Sequence, residues 1–114
     1  MTSDVVFALD DSTNIQADDW SQMKDLMSQF VDRVTVAPGN VRVGVVQYSN
    51  TAFVSFDLNT YRTNAALKPA IARLRQMSRS AERNLASAFQ ITLSELLVKG
   101  QRYFAAKVRN VHSR

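Results

Sequence analysis

An unbroken run of apolar residues near the amino terminus, residues 5–9, does most to limit what this chain can fold into. A strand with one face in water alternates apolar and polar side chains, whereas a strand buried on both faces of a parallel sheet is apolar throughout. The run therefore predicts a central strand with helices packed on both faces of its sheet. It ends at Asp10, and oxygen-bearing side chains follow at Asp11, Ser12 and Asn14.

Apolar residues at steps of three and four predict the helices that would cover this strand. They indicate helices over residues 18–34, 63–77 and 83–99. Pro69 is expected to limit where the regular part of the second helix begins, and Gly100 is expected to end the third. Three helices are enough to cover both faces of a small sheet.

Valine-rich and alternating segments predict the other strands. Residues 41–48 and 51–57 are interpreted as a hairpin turning at Ser49 and Asn50, so the third strand is expected to be antiparallel and at an edge. Residues 104–111 are a weak candidate for a fourth strand. The order of elements predicts an α/β fold: a three-layer αβα, Rossmann-like open sheet.

Composition limits the number of domains and the kinds of chemistry. With 114 residues, 46% of them hydrophobic, the chain suits one domain spanning residues 1–114. It has no cysteine, which excludes disulfides and thiolate chemistry, and its three glycines form no phosphate-binding loop. The single histidine, His112, has no nucleophile in a recognisable arrangement, and no apolar run could span a bilayer. We therefore expect neither an enzyme nor membrane insertion.

Three segments together carry a resemblance to a known family. "DVVFALDDS", "VRVGVVQYSN" and "FDLNTYRTNAALKPAIARLRQM" resemble the von Willebrand factor type A domain, most of all the repeated A domains of collagen type VI alpha chains. The resemblance implies a secreted, non-enzymatic adhesion module of the extracellular matrix. Such a module would form part of a larger multidomain chain and would bind matrix proteins or cell-surface receptors.

The resemblance also implies a metal site, the MIDAS motif, whose residues this chain only partly retains. The family binds Mg²⁺ through Asp-x-Ser-x-Ser and later Thr and Asp ligands; here Asp10 and Ser12 match, but Asn14 replaces the second serine. The threonine position falls on Arg83 or, in an alternative alignment, on Ala81, and the last aspartate has no counterpart. We predict a degenerate MIDAS with no cofactor, or at most weak Mg²⁺ binding.

Three interpretations of the polar residues after the first strand stay open. Asp10, Ser12 and Asn14 could form a weak cation site, or they could bond to the backbone as a capped loop, which is the commoner use of short polar residues. In the third interpretation the Arg83 guanidinium lies near Asp10 and neutralises it in place of a cation.

Partner binding is expected at the loops beyond the carboxyl ends of the strands. The predicted contact residues are Asp11, Asn14, Ser49, Asn50, Arg79 and Arg83. The alternative function is polyanion binding, to heparin or nucleic acid, because the net charge is +4 and basic residues cluster late. These are Arg73, Arg75, Arg79, Arg83 and a tail with Lys99, Arg102, Lys107, Arg109 and Arg114. Solvated helix faces explain such arginines more often, which makes nucleic acid the less expected partner.

The resemblance covers an amino-terminal portion of the family's domain. We expect the strands and helices that follow in the family to be missing here, and the sheet to be incomplete at its carboxyl-terminal end. A sheet cut at this point should leave the far edge of the first strand unpaired, which would favour aggregation.

Overall fold

A four-stranded sheet lies at the centre of the computed structural model, which describes residues 3–96 and 103–108. The strands are β1 (Ser3–Asp10), β2 (Val41–Tyr48), β3 (Ala52–Phe56) and β4 (Tyr103–Val108). The helices are α1 (Ala17–Asp32), α2 (Asn64–Ala72) and α3 (Leu85–Ile91), and a π-helical turn over Thr92–Leu96 continues α3. Within these ranges no helix is long and apolar enough to cross a membrane.

The apolar run at the amino terminus is a central strand, as predicted. The sheet order is β3-β2-β1-β4, with β1 parallel to both of its neighbours and β3 antiparallel to β2 at an edge. The prediction that the far edge of β1 is unpaired is wrong, because β4 pairs with it from Asp4↔Tyr103 to Leu9↔Val108. The weak strand signal was therefore real, and among the described strands the second sheet edge is β4 rather than β1.

Side chains of β1 are buried on both sides of the sheet, which confirms the three-layer arrangement. Val5, Phe7 and Leu9 pack with α1 and α2 in one apolar cluster. Val6 and Ala8 lie in a second cluster with Ala88 of α3. Alternate residues of one strand thus enter two cores, and this requires the unbroken apolar sequence.

The first helix follows its predicted pattern closely. The α1 residues Trp20, Met23, Met27 and Val31 are each at most 6% exposed, so the stripe packs in the core. Leu26, on the same predicted stripe, is 42% exposed.

The second helix is shorter than its periodicity predicts. It begins after Thr63, whose side chain accepts a hydrogen bond from the Ala66 N–H, and it ends at Ala72 instead of residue 77. Pro69 lies inside it rather than near its start. The predicted last turn is absent because residues 73–84 form a loop whose backbone hydrogen-bonds to other loops. Of the third predicted helix, residues 97–99 and Gly100 lie outside the described residues.

Candidate functional site at the carboxyl end of the sheet

Three loops meet where the parallel strands β1 and β2 end. Main-chain hydrogen bonds join them: the Asp11 N–H donates to the Tyr48 carbonyl at 2.7 Å, and the Asn84 N–H donates to the Ser49 carbonyl at 2.6 Å. The Thr13 N–H donates to the Ser80 carbonyl at 2.9 Å. The loop after β1, the turn after β2 and the segment of residues 73–84 therefore form one continuous surface, at the end of the sheet where open α/β folds bind ligands.

Asp10, the last residue of β1, is held by the loop that follows it and by an arginine from a distant one. Its Oδ1 accepts from the Ser12 N–H at 2.9 Å, while its Oδ2 lies 2.9 Å from Arg83 Nε. The same Nε donates to Ser12 Oγ at 3.3 Å. The Asp10 side chain is 6% exposed and that of Arg83 is 52% exposed, so the arginine reaches from the surface to a buried carboxylate.

Asp11 turns inward and fixes the segment that carries Arg83. Only 1% exposed, it accepts hydrogen bonds from the N–H groups of Met77, at 2.8 Å, and Ser78, at 3.0 Å. Burial raises the pKa of the Asp11 carboxyl, and the Asp10 charge adds to this; the two N–H donors and the Gln47 side chain oppose the rise. Met77 and Ser78 are thereby tied to the end of β1, so neither of their N–H groups is available to continue α2 as far as residue 77.

The remaining predicted residues divide between anchors and exposed positions. The Asn14 side-chain amide donates to the Ala81 carbonyl at 2.9 Å and is a second tie to the residue 73–84 segment. Ser49 is 5% exposed, and its hydroxyl bonds to the Asn50 side chain at 3.2 Å. Asn50 and Arg79 are exposed. Asp11 and Ser49, which were predicted to contact a partner, are both buried, and that role stays a prediction.

The residues present do not fit a divalent cation. The Asp10 carboxylate forms an ion pair with Arg83, and the Ser12 hydroxyl accepts the Arg83 Nε–H, so an ion bound there would have to displace a guanidinium of like charge. No cluster of three or more histidine, cysteine, aspartate or glutamate side chains suited to a metal occurs in the described part of the chain. Hard cations need several oxygen ligands, and this donor set supplies too few.

Two of the three sequence interpretations describe what is observed. Asp10 and Ser12 form a capped loop, and Arg83 pairs with Asp10, which favours the alignment that places Arg83 rather than Ala81 at the threonine position. Sequence reasoning missed the role of Asp11 as an anchor for Met77 and Ser78. The sequence did carry a signal for this role, the two adjacent carboxylates at the end of a buried strand. Both need hydrogen-bond donors when buried, so one of them must bond to a segment distant in the sequence.

The comparisons with known proteins agree with this architecture. The von Willebrand factor type A domain family matches residues 4–111. Human collagen alpha-6(VI) chain is 36% identical over 106 residues, which cover 93% of this chain and 5% of that protein. Mouse matrilin-3 is 34% identical over 83 residues, 73% of this chain and 17% of that protein.

A solved structure from the mussel byssus, proximal thread matrix protein 1 with a zinc-occupied MIDAS motif, has a TM-score of 0.82 at 22% identity. The alignment covers 92% of this chain and 28% of that one, so the likeness shows the fold. This chain thus spans a small part of the curated relatives it matches, 5% of the collagen chain and 17% of the matrilin.

The collagen VI and matrilin relatives are secreted proteins of the extracellular matrix, which confirms the predicted localisation. The resemblance inferred from three sequence segments is confirmed as well, since the matched region includes all three. The α/β class and its open mixed sheet are those of the solved relatives. The chain belongs to the von Willebrand factor type A domain family.

Proposed function

We propose that this chain is a non-enzymatic protein-interaction module of the extracellular matrix that binds its partners without a divalent cation. The observation that carries the proposal is the 2.9 Å contact between Arg83 Nε and the buried Asp10 carboxylate. It lies at the end of the sheet where this family's motif would hold a cation. The positive charge that a cation would supply is here part of the polypeptide.

The contact surface is formed by exposed side chains of the three joined loops. We call it the loop surface and define it by Thr13, Asn14, Asn50, Arg79 and Arg83, all of them exposed. Asp11 and the ties between the loops hold these residues on rigid strand ends. A preorganised surface loses little conformational entropy when a partner binds.

Matrix proteins or cell-surface receptors are the partners we propose, with the module acting inside a larger multidomain chain. Support comes from relatives of this kind, a collagen VI chain and matrilins, of which this chain covers only a small part. Of the described carboxylates near the loop surface, Asp10 and Asp11 are buried and hydrogen-bonded and Glu82 is exposed, so no two of them form an accessible acid–base pair. A binding role therefore suits the site better than catalysis does.

Binding to a plate-bound panel of purified extracellular matrix proteins tests the proposal, with Arg79→Glu as the variant and Arg62→Glu as its matched control. Both arginines are exposed, but Arg62 lies near Arg42 and Val41, at the opposite end of the sheet. We expect Arg79→Glu to weaken binding about tenfold, as loss of a central charge contact would. Arg62→Glu should bind as the wild type does. EDTA should leave the binding of the wild type and of Arg62→Glu unchanged.

Three outcomes would contradict the proposal. They are loss of wild-type binding in EDTA, equal losses in the two variants, and binding only to sulfated glycans with a steep dependence on salt. The last of these would favour the polyanion alternative, for which the exposed Arg73, Arg75 and Arg79 are the candidates.

A further inference from the structure

We infer that Arg83 is the ligand-binding group of the loop surface and that its free guanidinium edge binds a carboxylate of a partner protein. The inference rests on the proposed function, because it names the chemistry by which that surface recognises its partner. The Arg83 side chain then has two roles: it neutralises Asp10, and it offers hydrogen-bond donors to a partner.

Arg83 is held in place by buried side chains. Its Nε contacts Asp10 Oδ2 at 2.9 Å and Ser12 Oγ at 3.3 Å, and both of these side chains are buried. Asp10 is in turn positioned by the Ser12 N–H at 2.9 Å. A free surface arginine samples many rotamers, whereas the guanidinium of Arg83 is already held in one place. Binding a partner therefore costs little further side-chain entropy.

The described hydrogen bond of Arg83 uses one of the donors of its guanidinium. Arginine carries five N–H donors in a planar fork, and the contacts to Asp10 and Ser12 both involve Nε. Among the described residues no hydrogen bond is donated by Nη1 or Nη2 of Arg83. The Arg83 side chain is 52% exposed, so half of its surface is accessible to a ligand.

The shape of the guanidinium and the charges around it indicate which ligand would bind. Two parallel N–H groups on the Nη1–Nη2 edge match the two oxygens of a carboxylate, which forms bidentate pairs with arginine. The neighbouring exposed Arg79 adds positive charge, so an acidic group is attracted to the surface. Asp10 offsets the Arg83 charge, and Glu82 is exposed next to it, which disfavours a densely charged polyanion. A single acidic side chain of a partner protein is the ligand that fits.

Side-chain ¹⁵N NMR of the full chain tests the inference at low salt, with two capped peptides that differ only in one central residue, Asp or Asn. We expect the Asp peptide to shift the Arg83 Nε–Hε signal in a saturable manner, with at least a tenfold weaker response to the Asn peptide. The Arg62 signal is the internal control, because Arg62 is exposed but has no such anchor among the described contacts. Equal responses to the two peptides, or an equal shift of Arg62, would overturn the inference.

Two variants separate binding from folding. Arg83→Lys keeps the charge but loses the fork, and Asp10→Asn combined with Arg83→Gln leaves no buried charge unpaired. Both should fold, as judged by the dispersed amide spectrum, and both should lose the response of the remaining loop-surface amides to the Asp peptide. A folded double variant that binds the Asp peptide like the wild type would refute the inference, as would a heparin oligosaccharide that shifts Arg83 when the Asp peptide does not.

The two proposals can fail separately. If Arg79→Glu weakens binding to matrix proteins while the Asp peptide leaves the Arg83 signal unchanged, the inference is wrong and the proposed function stands. If matrix proteins do not bind the wild type but the Asp peptide shifts Arg83 selectively, the carboxylate site is real and the proposed function is wrong.

Discussion

The two ends of β1 each place an aspartate beside an arginine, and the two pairs are built differently. At the amino end, Asp4 and Arg42 are direct neighbours in the register of β1 and β2, and the contact is bidentate, with both N···O distances 2.7 Å. The third nitrogen of Arg42 donates to Asn59 at 2.9 Å, and its side chain is 18% exposed. At the carboxyl end, Arg83 comes from a loop, contacts Asp10 through Nε and is 52% exposed.

On the inference above, the same two residue types serve structure at one end of β1 and recognition at the other. Arg42 uses all three of its nitrogens inside the protein, and the hydrogen bond to Asp4 raises its pKa further above its ordinary value. Arg83 makes its described contacts through Nε, and half of its side chain is exposed. The first pair links β1 to β2, whereas the second places a half-exposed arginine at the end of the sheet where we propose that a partner binds.

The largest expected effect is on stability, from breaking the pair at the amino end. Arg42→Met should lower the free energy of unfolding by about 3 kcal/mol or more, because Asp4 would remain fully buried without its partner. Urea denaturation measures the change. Arg62→Met, at an exposed site, should change stability by no more than about 0.5 kcal/mol. A loss under about 1 kcal/mol in Arg42→Met would show that the Asp4–Arg42 pair is not important for stability.

Breaking the pair at the carboxyl end should cost less. Arg83→Met should lower the free energy of unfolding by about 1 kcal/mol, because half of the arginine side chain is in water and Asp10 keeps its bond from the Ser12 N–H. A double-mutant cycle with Asp10→Asn, followed by urea denaturation, isolates the coupling energy of the pair. A loss as large as that of Arg42→Met would mean that both pairs are structural.

The smallest expected effect is the return of a metal response. Arg83→Thr frees Asp10 and Ser12 and adds a hydroxyl at the aligned ligand position, so Mg²⁺ or Mn²⁺ should stabilise this variant. At a metal concentration equal to the Kd the gain is about 0.4 kcal/mol, or roughly 2 °C in melting temperature. The wild type and Arg62→Thr are the controls and should not respond. Equal melting temperatures with and without millimolar metal in Arg83→Thr would contradict the stand-in role of the guanidinium.

Much of the fold could be predicted from local pattern. The bounds of β2 agree with the prediction, and α1 and β3 agree to within two residues, because long periodic or alternating segments have one way to bury their apolar side chains. The end of α2 could not be predicted in this way. Its apolar spacing continues to Met77, but the Met77 N–H is taken by the Asp11 carboxylate, a contact 66 residues away in sequence.

The candidate site could be predicted only in part from the sequence. Asp10 and Ser12 at a strand end pointed to it, and the Arg83 hypothesis came from an alignment that gave two choices. Which of Arg83 and Ala81 lies beside Asp10 depends on the path of residues 73–84, and that path depends on long-range ties from Asp11, Thr13 and Asn14.

The sequence by itself determined the central buried strand, the αβα layering and the shortage of oxygen ligands, because each follows from residue type and spacing along a short segment. Tertiary structure alone decided that β4 covers the far edge of β1 and that Asp11 and Ser49 are buried. It also decided that Arg83 pairs with Asp10 through Nε while half of the arginine side chain stays exposed. Each of these depends on contacts between residues far apart in the chain, whose free energies no local pattern records.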